Sequence, residues 1–326
     1  MNFFRGVCVI LSVCTLMSCD APRVNPLDPE SQDYKYFTIE GSVKAQSNLS
    51  PMSGVKVTWK NENQNIVVVT NSDGKFKINR LDRINGIIYF EKDGFAKDSS
   101  LIQLNGEKSV IKDKVLNALP RLTFYKLYAI VRNFVWGDNT HTDTLNVRAR
   151  VFDEEGDIDS VAIQNKSINF YKKLDYDSAN KLFKASFQTF DLKVSSLIET
   201  QGKSFYFVAI DKNKRKYVLD STYLTRVITQ QPKCNSPAND STFKVDEPID
   251  FKWDRFIPFF KFTFTVQVFN KADDSTPVWE KSFISDLDVG TRLDKKLPAG
   301  RYYWVICVID DFDNKAISPT ASFIIQ

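Results

Sequence analysis

The chain of 326 residues carries 44 Lys and Arg against 40 Asp and Glu, with a single histidine. That near-neutral balance lacks the basic stripe that phosphate contacts demand, so no nucleic-acid partner is expected. A hydrophobic content of 43% with 26% charged residues belongs to folded globular protein, not to a disordered chain.

Residues 1–18 read as an export signal. Arg5 gives the positive start, and Gly6 to Leu16 is uncharged and almost wholly apolar. The run is too short to span a bilayer, which takes ~20 residues, and the polar stretch after it is no stop-transfer flank. Leu16-Met17-Ser18-Cys19 resembles a bacterial lipobox. The resemblance implies cleavage before Cys19, a diacylglyceryl group on its sulfur and membrane attachment through it. Asp20 resembles the inner-membrane retention signal of enterobacterial lipoproteins, a rule that does not carry over to other lineages. The outer membrane or cell surface is the favoured location. Residues 19–36 hold Pro22, Pro26 and Pro29 among mostly polar neighbours and form a flexible tether.

Beyond the tether, short alternating runs are separated by clusters of Gly, Asn, Asp or Pro. This pattern predicts an all-β chain of three consecutive β-sandwich domains, at 37–119, 120–232 and 233–326. In the first, Val55, Val57 and Trp59 share one face, and Asp73-Gly74 between two alternating runs is a hairpin signal, because glycine takes positive φ without steric cost. The series GSV, PMSGVKVTW, TNSDGKFKINRL and IYFEKDGF resembles the carboxypeptidase regulatory-like domain, a transthyretin-like sandwich. That resemblance implies a non-catalytic spacer, folding aid or binding module.

The second domain shows seven strand-like runs between Phe124 and Val227, as an immunoglobulin-like sandwich requires. The third carries SPAND, FKW, LPAGRYYWVICVIDDFDN and ISPTASFII, which resemble the fibronectin type III class. These motifs describe core packing, so they speak to fold and not to activity. The stripe Phe260, Phe262, Phe264, Val266, Val268 alternates with polar residues and predicts a core face.

Candidate chemistry is sparse. His141 is the one imidazole, so a protein-ligated zinc site lacks its usual ligands, and no GxSxG elbow offers a nucleophile. Asp153, Glu155, Asp157 and Asp159, with Glu154 between them, crowd carboxylates whose repulsion a Ca²⁺ ion would relieve. The same segment lies where a sandwich needs a turn, and Asp and Gly form turns for local reasons. Asp310 to Asn314 carries the same two readings. The densest basic cluster, Lys212 to Lys216, reads as a solvated hairpin tip. Trp136, where a strand gives way to a polar loop, is the candidate for stacking on a glycan. Cys234 and Cys307 remain as thiols by default, although export would permit a disulfide. The expectation is a non-enzymatic, lipid-anchored envelope protein presenting β-sandwiches to a glycan, polymer or protein partner. The alternative is a secreted carbohydrate-active hydrolase or an accessory subunit of one, working with paired carboxylates.

Overall fold

The computed structural model describes Ser31, residues 34–133 and residues 141–326, and its chain divides into two compact units with the boundary after Ala118. Nearly all regular structure is β. Among the described residues no helix is long and apolar enough to cross a membrane.

The first unit contains β1 (Tyr36–Ala45), β2 (Lys56–Lys60), β3 (Asn65–Val69), β4 (Lys75–Asp82), β5 (Gly86–Glu91), β6 (Asp98–Ile102), β7 (Ser109–Ile111) and β8 (Lys114–Leu116). One sheet runs β4-β1-β7, with β8 also paired to β1, and the other runs β3-β2-β5-β6. Alternation on both sheets sends Phe37, Ile39, Val57, Trp59, Phe76, Ile78, Ile88 and Phe90 into one shared core. Phe37 meets Trp59 edge to face at 5.6 Å, and Phe76 meets Phe90 likewise at 5.8 Å.

Asp73-Gly74 does turn the chain, with Gly74 at φ +71°. The strands it joins, however, lie in different sheets, since β3 pairs with β2 and β4 with β1. The turn is therefore an arch across the sandwich, a correction to the hairpin expectation. Local turn chemistry fixes the reversal, while the sheet each strand joins depends on distant partners. Gly41 has a different reason to lack a side chain. A Cβ there would lie 2.1 Å from the Lys112 carbonyl oxygen, where the chain crosses from β7 to β8 against β1.

The second unit opens with β9 (Arg121–Asn133), β10 (His141–Phe152), β11 (Ile158–Asn165), β12 (Phe170–Lys173), β13 (Asp175–Asp177), β14 (Leu182–Gln188), β15 (Ser204–Asp211) and β16 (Lys216–Tyr223). It continues with β17 (Cys234–Ser236), β18 (Ser241–Phe243), β19 (Asp250–Trp253), β20 (Phe262–Asn270), β21 (Trp279–Ile284), β22 (Gly290–Arg292), β23 (Gly300–Asp310), β24 (Lys315–Ile317) and β25 (Ala321–Ile325). Two hydrophobic cores share this unit. One gathers Leu127, Leu145, Val147, Val161, Ile163, Phe170, Phe205 and Phe207. The other gathers Phe251, Trp253, Phe264, Val266, Val268, Trp304, Ile306 and Phe323. Burying each such side chain contributes roughly 1.5–3 kcal/mol.

One sheet belongs to both cores. Its order is β13-β14-β10-β9-β24-β23-β20-β21, and the crossing point is the parallel pair β9–β24, with Ala316 opposite Val131. The predicted stripe on β20 is a core face, with Phe262, Phe264, Val266 and Val268 all buried. Three buried indoles of this unit find acceptors for their N–H groups: Trp253 donates to the Asp288 carbonyl at 3.1 Å, Trp279 to Asp294 at 2.6 Å and Trp304 to the Pro237 carbonyl at 3.0 Å.

Candidate functional site

Cys19 and Trp136 lie outside the described residues. The acidic segment is the turn between β10 and β11. Asp153 closes it, its Oδ2 accepting from the backbone N–H of Asp157 at 2.7 Å and of Ile158 at 3.1 Å. Because β11 pairs with β15, this turn lies beside the β15–β16 turn, which carries the basic cluster. Lys212 Nζ donates to the Gly156 carbonyl at 3.1 Å and Lys214 Nζ to Asp159 Oδ2 at 3.1 Å. Arg215 approaches Asp157 at 3.8 Å and binds Asp211 at 2.6 Å.

The two densest charge clusters of the sequence thus neutralise each other. Part of the carboxylate repulsion, the motive for calcium at Asp153, Glu155, Asp157 and Asp159, is met by the neighbouring turn, through Lys214 at Asp159 and Arg215 near Asp157. Among the described residues no three His, Cys, Asp or Glu side chains gather as a metal site. Burial raises the Asp157 carboxyl above its ordinary value, helped by Asp153 and Asp211 and opposed by Arg215 and Lys212. Burial also opposes ionisation of Asp211. Its hydrogen bonds from the backbone and side chain of Arg215 and from Tyr217 outweigh that and hold it low.

Cys234 and Cys307 are thiols and do not pair. Cys234 Sγ lies 3.2 Å from Ser318 Oγ, and Cys307 faces Gln267 on the opposite side of β23 from the core. Burial pushes the two thiols up to about 11 and about 12, so both stay protonated at neutral pH.

The second acidic segment has a different role. Residues 311–314 join β23 to β24, with the Asp310 carboxylate and the Asn314 amide turned inward and Asp311 and Phe312 exposed. Asp310 Oδ1 accepts from the N–H groups of Phe312 and Asn314, each at 2.9 Å. Asn314 is fully buried. Its Oδ1 accepts from the Ala129 N–H at 2.9 Å, and its Nδ2 donates to Thr225 Oγ1 at 2.8 Å and to Asp310 Oδ2 at 3.0 Å. Arg226 Nε lies 3.4 Å from Asp310 Oδ2, with its guanidinium 4.4 Å over the Phe260 ring, and Lys126 pairs with Asp313. Ala129, Thr225, Arg226 and Lys126 come from the 120–232 segment, whereas the turn comes from the last one. A buried polar joint therefore reinforces the β9–β24 pairing.

Above this joint lies a hollow of about 300 Å³, lined by Tyr125, Lys126, Thr222, Tyr223, Asp311 and Phe312 among others. Phe312 is 53% exposed at the tip of its turn, and Tyr223 is 57% exposed at the end of β16. The Tyr125 ring packs on Phe207 at 5.5 Å, and Asp220 together with burial raises its phenol. A larger hollow of about 600 Å³ in the first unit is lined partly by Glu40, Ser42, Lys77 and Asp113. Its carboxylates are already engaged: Asp113 accepts from Ser42 N–H and Oγ, both at 2.8 Å, and Glu40 pairs with Lys77. The aromatic hollow is not visible in the sequence, because its rings come from distant parts of the chain: Tyr125 from β9, Tyr223 from the end of β16 and Phe312 from the β23–β24 turn. One local signal was present: a phenylalanine at the centre of the acidic turn Asp311-Phe312-Asp313, where turn chemistry favours polar residues.

No family model matches the sequence, and no curated protein matches it. Among solved structures, the chain has similarity to a DUF3823 family protein from Bacteroides ovatus at 13% identity. That match covers 58% of this chain and 98% of the other, with a TM-score of 0.25. The chicken CNTN1 FN1–FN3 domains match at 10% identity over 86% of this chain and 91% of theirs, with a TM-score of 0.33. BcpA, the major pilin subunit of Bacillus cereus, matches at 8% identity over 86% and 91%, with a TM-score of 0.30.

Proposed function

We propose that the chain is a lipid-anchored, non-enzymatic protein of the bacterial cell envelope, at the outer membrane or cell surface. Its β-sandwich modules present a binding surface to a partner outside the bilayer. The observation that carries this reading is the joint at Asp310 and Asn314, together with the sheet that passes through β9 and β24. Buried hydrogen bonds at a module boundary hold the two cores at a fixed angle, as an arm that positions a binding surface requires. The first unit, with its resemblance to carboxypeptidase regulatory-like domains, serves as a spacer between tether and arm. Support for the anchor comes from the run Leu16-Met17-Ser18-Cys19. Acyl chains on Cys19 give stable attachment once two or more are present.

Metabolic labelling with an alkynyl fatty acid, followed by membrane fractionation, tests the anchor. Wild type is expected to take up label and sediment with membranes, and Cys19→Ser to lose both. Label retained by Cys19→Ser overturns the assignment.

A further inference from the structure

We infer that the hollow above the joint is a saccharide site, taking a neutral pyranose unit of a larger glycan. The inference rests on the reading of the chain as a binding module and adds the ligand class and the residues that hold it.

The lining combines two kinds of group. Phe312, Tyr223 and Tyr125 supply aromatic rings, and the first two keep more than half of their surface in water. Both rings forgo burial while lining one hollow together with the Tyr125 ring, and Phe312 does so at a turn tip. Around the rings stand the carboxylate of Asp311, the hydroxyl of Thr222 and the ion pair of Lys126 with Asp313. A pyranose has the complementary surface: a flat C–H face that stacks on aromatic rings, and a girdle of hydroxyls that donate to carboxylates and accept from ammonium groups.

Charge selects among sugars. Among the lining residues one cation, Lys126, faces two carboxylates, Asp311 and Asp313. A uronate, sulfate or phosphate ester would meet net repulsion there, whereas a neutral sugar would not. Size agrees, since about 300 Å³ lies at the lower end of the usual range for ligand cavities and suits one or two rings. The floor is preformed, because Phe312 N–H is bound to Asp310 and Asp310 is in turn held by Asn314 and Arg226. Binding therefore requires little ordering of the protein.

The test is affinity electrophoresis of the mature chain in detergent, through gels containing mixed-linkage β-glucan, xyloglucan, galactomannan or amylopectin, with polygalacturonate as the charged arm. Retardation by at least one neutral polysaccharide is expected. Phe312→Ala and Tyr223→Ala should each weaken it at least tenfold, with unchanged thermal melting because both side chains are exposed. If Phe312→Ala melts early, Phe312→Leu carries the test, since it keeps apolar volume and removes the ring. Retardation by none of the gels, by polygalacturonate alone, or kept in full by both ring variants overturns the site. The Cys19 labelling is read separately. Loss of the anchor with retardation intact leaves the saccharide site standing, and the reverse leaves the anchor standing.

Discussion

The two acidic turns of the second unit differ in how far they are buried. Asp153 to Asp159 stays at the surface, where Lys212, Lys214 and Arg215 from the adjoining turn balance it. In the segment Asp310 to Asn314 the two end residues are drawn inside, where the Asp310 and Asn314 side chains stitch two cores together through Ala129, Thr225 and Arg226. A carboxylate in water is cheap to hold and contributes little. The same group in a dry joint is stabilising only when every oxygen has a donor. Burial, not residue type, decides which role an acidic turn takes.

That contrast is most strained by Asp310→Ala. It removes the acceptor for two backbone N–H groups and leaves Arg226 beside Phe260 without its carboxylate. We expect a loss of about 3 kcal/mol in urea unfolding of the chain, the range for breaking a buried pair. A loss below 1 kcal/mol would show that the joint is wet and the comparison false.

Asp211 stands between the two cases, a buried carboxylate beneath the exposed turn. Asp211→Asn should lower stability at neutral pH by about 1.5–3 kcal/mol, as for hydrogen bonds to a charged group. The pH dependence sharpens the point. Because the folded Asp211 carboxyl lies below its ordinary value, its contribution is full above the unfolded carboxylate range and fades as pH falls through the lowered folded value. Asp157, held above its ordinary value, works the other way and favours the fold as pH falls. The variant should therefore lose less stability on acidification than wild type. An unchanged acid slope would remove Asp211 from this role.

The smallest effect belongs to Lys214→Ala. Its ammonium is largely exposed as it meets Asp159, so the change should be no more than about 0.5 kcal/mol and should shrink further in salt. A larger value would mean that the surface turn is as firmly built as the joint.

Much of the fold was legible because periodicity is local. The β20 stripe, the face shared by Val55, Val57 and Trp59, and the turn at Asp153 each follow from neighbours in the chain. What escaped depends on residues far apart. Whether Asp73-Gly74 makes a hairpin or an arch is decided by β1 and β2, which precede it. The pairing of β24 with β9 is made by backbone groups that leave no mark in side-chain pattern. The match between Lys212–Arg215 and Asp153–Asp159 required knowing that β11 lies against β15. The aromatic hollow, drawn from Tyr125, Tyr223 and Phe312, required all of these together.

The parallel pair β9–β24 also carries a mechanical consequence. β9 begins just past the boundary at Ala118, so tension applied to the chain on the N-terminal side of this unit would enter along its length. Its backbone bonds to β24, along the three residue pairs from Lys315–Ile130 to Ile317–Arg132, lie across that pull and are loaded together in shear instead of opening one by one. A pull that separates β9 from β24 would therefore be felt by both cores, because the sheet that β9 and β24 join belongs to each of them.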